Sequence, residues 1–328
     1  MTRQGLSPTS IDDITQAHRA STCRQYESGW KKFQGFISSQ DVQSVTPSVL
    51  TSFATHVFHA NPRVSPSTVT NAMVAIRDPI SFGFGVTIED RQWDLLKASF
   101  FRQRPPTTPQ PPNWSLGKVL TLLQAPKFQS APSTRDLFSR TLFLVAMATG
   151  HRVSQLAALL RSPEFTRFGP DDSSVTLATR PLFLAKNERA GHRMKPVTIH
   201  AWLTGGTHHP LCPVKAMREY LSATSGSSNV NLWLDPHSAR PLNSSALAKH
   251  LVHIIHLADP LSHPRAHQVR KYASSLAFFR SFDIETVREA GQWSSPKSFV
   301  QRYLLPHLTN VPCVAMGSTP GPNRGDET

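Results

Sequence analysis

A mainly helical chain with one small β-sheet, divided into two domains, is the fold class that three observations in the sequence predict. Apolar residues recur at three- and four-residue intervals over most of the 328 residues, β-branched stretches interrupt that pattern after residue 172, and a proline-rich run splits the chain near residue 105.

The first hundred residues read as four helices. In STCRQYESGWKKFQGFI, Cys23, Tyr26, Trp30, Phe33 and Ile37 form one apolar stripe, leaving Arg24, Lys31 and Lys32 on a basic outer face. Thr46-Pro47 and Ser65-Pro66 each join a good N-cap to proline at the first helical position, starting SVLTSFATHVF and STVTNAMVAI. A fourth helix covers IEDRQWDLLKASFF. The run RQRPPTTPQPPN, residues 102–113, cannot continue a helix, because proline lacks the backbone donor and clashes with the preceding turn. The expected organisation is therefore a helical domain at 1–101, a linker at 102–113, a second domain at 114–308 and a disordered tail at 309–328. Arg102 and Arg104 in the linker suit a segment lying along a phosphate backbone, and equally an ordinary solvated connection.

The second domain opens with SLGKVLTLLQ and then STRDLFSRTLFLVAMATG, a capped helix whose last turns are almost wholly apolar and hence buried; Gly150 ends it and HRVSQLAALL starts another. SSVTLATRPLFLAKN and MKPVTIHAW are partly alternating and β-branched, so they read as strands separated by the charged ERAGHR. The rest is helical: CPVKAMREYLSAT, LNSSALAKHLVHIIHLA, AHQVRKYASSLAFFR and DIETVREAG.

Thirty-five Lys and Arg against 21 Asp and Glu give a formal net charge of +14, which attracts a polyanion, nucleic acid first. No run of eighteen apolar residues and no interfacial amphipathic helix favours a membrane, and MTRQGLSPTSIDD lacks the apolar stretch of a signal peptide, so an intracellular, soluble protein is expected. Cys23, Cys212 and Cys313 are far apart and odd in number, which suggests neither a disulfide framework nor zinc. His250, His253 and His256 in KHLVHIIH lack a completing carboxylate or thiol, and no phosphate-binding glycine motif occurs; neither a metal nor a cofactor is expected.

Four short signals carry the chemistry. TGHRVSQLAAL places Arg152 just after a buried helix, HQVRKYASS places His267 and Arg270 on one helical face, GQWSS carries Trp293, and FVQRYL carries Tyr303. Singly each is ordinary: a solvated arginine, one of fifteen histidines, a core aromatic. In this order and spacing they resemble the tyrosine recombinase (phage integrase) superfamily, whose catalytic set runs Arg, Lys, His-x-x-Arg, His or Trp, Tyr. The resemblance covers about residues 115–308. The first hundred residues look more weakly like that family's helical, SAM-like core-binding domain. Trp293 followed by SP, SF and YL is similar to the recombinases of DIRS, Ngaro and crypton-type eukaryotic mobile elements.

The resemblance implies an integrase-like α/β catalytic domain that cuts and rejoins double-stranded DNA through a 3′-phosphotyrosyl bond, as a homotetramer on two sites, without metal or ATP. Tyr303 would be the nucleophile. A phenol titrates near about 10 and needs proton removal or a cationic pocket. Arg152 and Arg270 would supply that pocket, since guanidinium forks match phosphate oxygens and stay charged. His267 would bind the phosphate or handle a proton, and Trp293 would donate its indole N–H. The family's acid is a lysine on a β-hairpin; Lys186 in LAKNER is the choice, with Lys195 in MKPVTI in reserve. Phosphate contacts would include Arg24, Lys31, Lys32, Arg102 and Arg104. The location would be the nucleus in a eukaryote and the cytoplasm otherwise.

Two departures stand out. Gln155 occupies the position, three after the first arginine, where the family commonly carries a carboxylate, and the Trp293 to Tyr303 gap is about one residue longer than usual. The rival readings are a domesticated DNA-binding protein without turnover and a DNA-relaxing enzyme of the type IB topoisomerase kind.

Overall fold

The computed structural model describes residues 20–105, 111–186, 188, 194–281, 283–291, 299–300 and 303–305, with a few isolated positions near the start. The chain divides into two compact units, 1–108 and 109–328.

The first unit holds helices α1 (Ala20–Ser39), α2 (Pro47–His59), α3 (Pro66–Phe84) and α4 (Asp90–Gln103). Both expected caps form: Thr46 accepts the N–H of Val49 at 3.4 Å and Ser65 that of Thr68 at 3.3 Å. Its core joins Phe33 and Phe36 of α1 to Phe53 and Phe58 of α2, Ile76 and Ile80 of α3 and Phe100 of α4. The buried side of α1 is rotated relative to the stripe read from sequence, so Phe36 is buried while Cys23 is exposed. Gly29 explains the close approach of α1 to α3, because a Cβ there would meet the Cβ of Ala75 at 2.5 Å. Helix α4 continues through Gln103, past the expected domain end at residue 101, since the first proline of the linker comes only at Pro105.

In the second unit, α5 (Leu116–Leu123) and α6 (Pro126–Gln129) lead into α7 (Thr134–Thr149), capped by Ser133 and ended by Gly150 at φ +57°. From Leu137 onward almost every side chain of α7 is buried, which fits its nearly all-apolar sequence. The next helix, α8, is a single turn (Val153–Leu156), shorter than HRVSQLAALL suggests, because the chain leaves it for isolated bridges pairing Leu159 with Thr179 and Leu160 with Asn231.

Strands β1 (Thr166–Phe168), β2 (Ser174–Leu177) and β3 (Val197–His200) form an antiparallel sheet in that order, with Val175, Leu177 and Ile199 turned into the core. Strand β2 stops far short of Lys186. The bridge at Thr179 is its last pairing; then come Pro181, which has no N–H to give, and Leu182 at φ +54°. A second hairpin, β4 (Leu203–Thr204) and β5 (Thr207–His208), turns on Gly205 and Gly206, both at positive φ. Helices α9 (Pro213–Ala223), α10 (Ser244–Ala258), α11 (His267–Ser281) and α12 (Ile284–Gly291) complete the unit, with α9, α10 and α11 packed around α7. Among the described residues no helix is long and apolar enough to cross a membrane. The tail expected at 309–328 lies outside them.

Candidate active site

The second unit contains a cleft of about 390 Å³ lined, among others, by His151, Arg152, His267, Arg270 and Tyr303. Helix α11 organises it. Its start is fixed by Gln268, whose Oε1 accepts the backbone N–H of Arg265 at 2.8 Å and the indole N–H of Trp114 at 3.0 Å. His267 therefore sits at the first turn, exposed at the cleft rim. Loss of hydration there, then the charges of Lys271 and Arg265, hold its imidazole below the ordinary histidine range and so neutral near pH 7.

Arg270, one turn on, is buried, and its two terminal nitrogens donate to the carbonyls of Gly150 and Gly291. Those carbonyls end α7 and α12, so one guanidinium ties three helices together. Burial first and Arg152 second pull its pKa down to about 10, against the opposing influence of Tyr303, and at neutral pH it keeps its charge. Trp293, two residues beyond Gly291, lies outside the described residues.

Arg152 occupies the N-cap of α8, and its backbone N–H is accepted by Gln155 Oε1 at 2.7 Å. The amide that stands where a carboxylate was expected thus supports the turn carrying Arg152 through the main chain. Among the described residues, one buried Arg152 terminal nitrogen has no hydrogen-bond partner, and neither has Nδ1 of the neighbouring His151. Burial, followed by Arg270 and Arg152, drives the His151 pKa down to about 3, so this imidazole is neutral. Sequence reading passed over His151; only its place between Gly150 and Arg152 hinted at the cleft.

Tyr303 is held by its own backbone. Its N–H reaches the Phe299 carbonyl at 2.8 Å, and its carbonyl accepts the hydroxyl of Ser275, buried on α11, at 2.9 Å. The same hydroxyl accepts the N–H of Leu305 at 2.9 Å. Ser275 is thus a second positioning residue that no pattern singled out. The chain has four tyrosines, and two others are disqualified as nucleophiles by their surroundings. Tyr220 and Tyr272 donate to the carbonyls of Leu232 and Trp114, and burial pushes the pKa of each up to about 12.

The two lysines are exposed and line no part of this cleft. Their loop is tethered nearby, however. The Glu188 carboxylate accepts the N–H groups of Ala185 and Met194, next to Lys186 and Lys195, and the Met194 sulfur accepts the Gln155 amide at 3.2 Å. Arg24, Lys31, Lys32 and Arg102 are exposed on the first unit. Arg104 instead serves the fold. One of its nitrogens donates to the carbonyls of Phe58, Asn61 and Val64 at 2.7, 3.1 and 2.9 Å, and the guanidinium stacks 3.8 Å over the Phe58 ring. The described residues include no group of three or more His, Cys, Asp or Glu able to hold a metal.

No family model and no curated protein matches the sequence. Solved structures do match. The site-specific recombinase XerH bound to difH substrate, in a pre-cleavage complex, superposes with a TM-score of 0.59 at 15% identity over 85% of this chain and 76% of that one. A lambda integrase dimer bound to a COC′ core site gives 0.55 at 13% over 92% and 94%. The Tn1549 transposon integrase with transposon right end DNA gives 0.54 at 10% over 87% and 95%. Likeness at such low identity is a likeness of architecture, and it agrees with the mainly helical build and the small sheet: the chain has the fold of the tyrosine recombinases.

Proposed function

We propose that this protein is a site-specific DNA recombinase that cleaves and rejoins strands with Tyr303 as nucleophile. One observation carries the reading: Arg152, His267, Arg270 and Tyr303, spread along the whole second unit, line one cleft. The Tyr303 oxygen attacks the phosphorus of a DNA phosphodiester, the bond to the 5′ oxygen breaks, and a 3′-phosphotyrosyl bond forms. His267, neutral near pH 7, takes the phenolic proton. Arg152 and Arg270 meet the charge that gathers on the non-bridging oxygens. Lys186, with Lys195 as the alternative, gives a proton to the departing 5′ oxygen, and Trp293 adds its indole N–H. Attack by a 5′ hydroxyl of a partner strand reverses the steps, so the bond energy is kept in the linkage and no ATP or metal is used.

Arg24, Lys31, Lys32 and Arg102 supply phosphate contacts from the first unit. A homotetramer on two DNA sites, an origin in a mobile element of the DIRS, Ngaro or crypton kind, and a nuclear location in a eukaryotic host complete the reading. These rest on the sequence resemblance. Gln155 favours a second reading, a DNA-binding protein that no longer turns over, because its amide serves the Arg152 backbone and brings no negative charge to the guanidinium.

Nicked suicide duplexes drawn from a random-sequence pool, incubated with wild type and Tyr303→Phe, decide between the two. A covalent adduct with wild type alone is expected. No adduct from any duplex would leave the non-catalytic reading standing, and an adduct surviving Tyr303→Phe would move the nucleophile elsewhere. On a substrate with sulfur at the bridging 5′ position, which needs no acid, cleavage lost in Lys186→Ala should return; rescue of Lys195→Ala instead would reassign the acid.

A further inference from the structure

The cleft has a further lining. Besides the arginines it is lined by Ser244, Ser245 and Ala248, from the first turns of α10. Asn243 caps this helix by accepting the N–H of Ala246 at 2.9 Å, and the first intrahelical bond is that of Leu247 to the Asn243 carbonyl. The N–H groups and hydroxyls of Ser244 and Ser245 therefore have no hydrogen-bond acceptor or donor among the described residues. Small side chains at 244, 245 and 248 leave the backbone of this turn approachable.

A helix N-terminus alone would mean little. Here the same cleft also carries two buried polar atoms without partners among the described residues, Nδ1 of His151, a residue only 6% exposed, and a terminal nitrogen of Arg152. No Asp or Glu is among the described residues that line it. The cleft thus brings Arg152 and Arg270 together with the unbonded N–H groups of Ser244 and Ser245, and no carboxylate lies among the described residues that line it.

Resting on the recombinase reading, we propose that the cleft is a two-phosphate site: Arg152 and Arg270 hold the phosphate that is cut, and Ser244 and Ser245 hold its neighbour on the same strand. The neighbouring phosphate accepts the free N–H groups and hydroxyls at the positive end of α10. Gripping the strand on both sides of the cut bond fixes the line along which Tyr303 attacks. Ser244 and Ser245 are thus positioning residues.

The test uses the full-length chain carrying Tyr303→Phe and a fluorescent 30-base-pair duplex of arbitrary sequence. Ser245→Asp sets a carboxylate where the phosphate would lie, while an acidic group in the first turn favours the helix, so thermal stability should be kept. Ser222→Asp makes the same charge change on α9, away from the cleft. The expected result is an affinity loss of about tenfold for Ser245→Asp, little change for Ser222→Asp, and little change for Ser245→Asn, which keeps the N–H and a polar side chain. Equal effects of the two aspartates would overturn the proposal. Duplexes recovered from the adduct assay add a second reading: a methylphosphonate at the phosphate next to the cut should slow wild type more than it slows Ser244→Ala/Ser245→Ala, which keeps the N–H groups and loses the hydroxyls. If that substitution slows both proteins alike, the subsite is wrong although cleavage stands. If Ser245→Asp weakens binding but wild type never forms an adduct, the subsite stands and the cleavage reading falls.

Discussion

The guanidinium of Arg270 lies 5.4 Å from the centre of the Tyr303 ring, while its terminal nitrogens grip the carbonyls of Gly150 and Gly291. One side chain thus both holds the ends of two helices and faces the proposed nucleophile. Arg270→Lys keeps the charge but loses the planar fork, which no single ammonium replaces. Adduct formation should fall by about 100-fold or more, the scale for losing one preorganised donor, and the melting temperature should fall with it. A lysine variant that matches wild type in both assays would show that charge alone suffices.

Gln155 is buried and bonds the backbone N–H of Arg152. Gln155→Ala removes that support and should cost about 1 kcal/mol in urea denaturation, as for other helix-end caps. Strand cleavage should suffer more than DNA binding, because the loss displaces Arg152 and leaves the exposed basic surface alone.

His151 makes stability depend on pH. Its pKa is depressed, from an ordinary 6.5 to about 3, so the unfolded chain binds a proton that the folded one refuses. Its contribution is therefore fully present above pH 6.5 and is lost as pH falls from there toward 3. The maximum slope is about 1.4 kcal/mol per pH unit. His209, His250 and His267 are shifted in the same direction and add to the trend. Urea midpoints measured from pH 7.5 to 4.5 should fall, and His151→Gln should flatten the curve.

Arg102 and Arg104 separate two roles that look alike in sequence. Arg104→Ala strips donors from three carbonyls around the end of α2 and should destabilise the first unit by about 1.5–3 kcal/mol, read as a lower unfolding midpoint. Arg102→Ala should leave the midpoint unchanged and reduce the salt dependence of DNA binding by about one phosphate contact.

Gly29→Ala pits two effects against each other. In an open helix the change would gain about 0.5–1 kcal/mol, but here the new methyl would lie 2.5 Å from the Ala75 Cβ. Overpacking should win, with a net loss of about 1–3 kcal/mol in thermal or urea unfolding.

Helices, caps and the chain order of Arg152, His267, Arg270 and Tyr303 were determined by the sequence alone, because they rest on contacts within a few residues: Thr46 with Val49, Ser65 with Thr68, Ser133 with Asp136. The short strands were harder to read. The Gly205-Gly206 turn was a local signal for β4 and β5, but two-residue strands carry no alternation, and β2 ended early where Pro181 and Leu182 turn the chain. Only the tertiary structure could decide that Ser275 anchors Tyr303, that Arg104 faces inward, that His151 is buried beside two arginines, and that the start of α10 lines the same cleft. Each of these depends on groups that meet across dozens of residues, where burial and unpaired donors are properties of the folded core and leave no periodic trace in the chain.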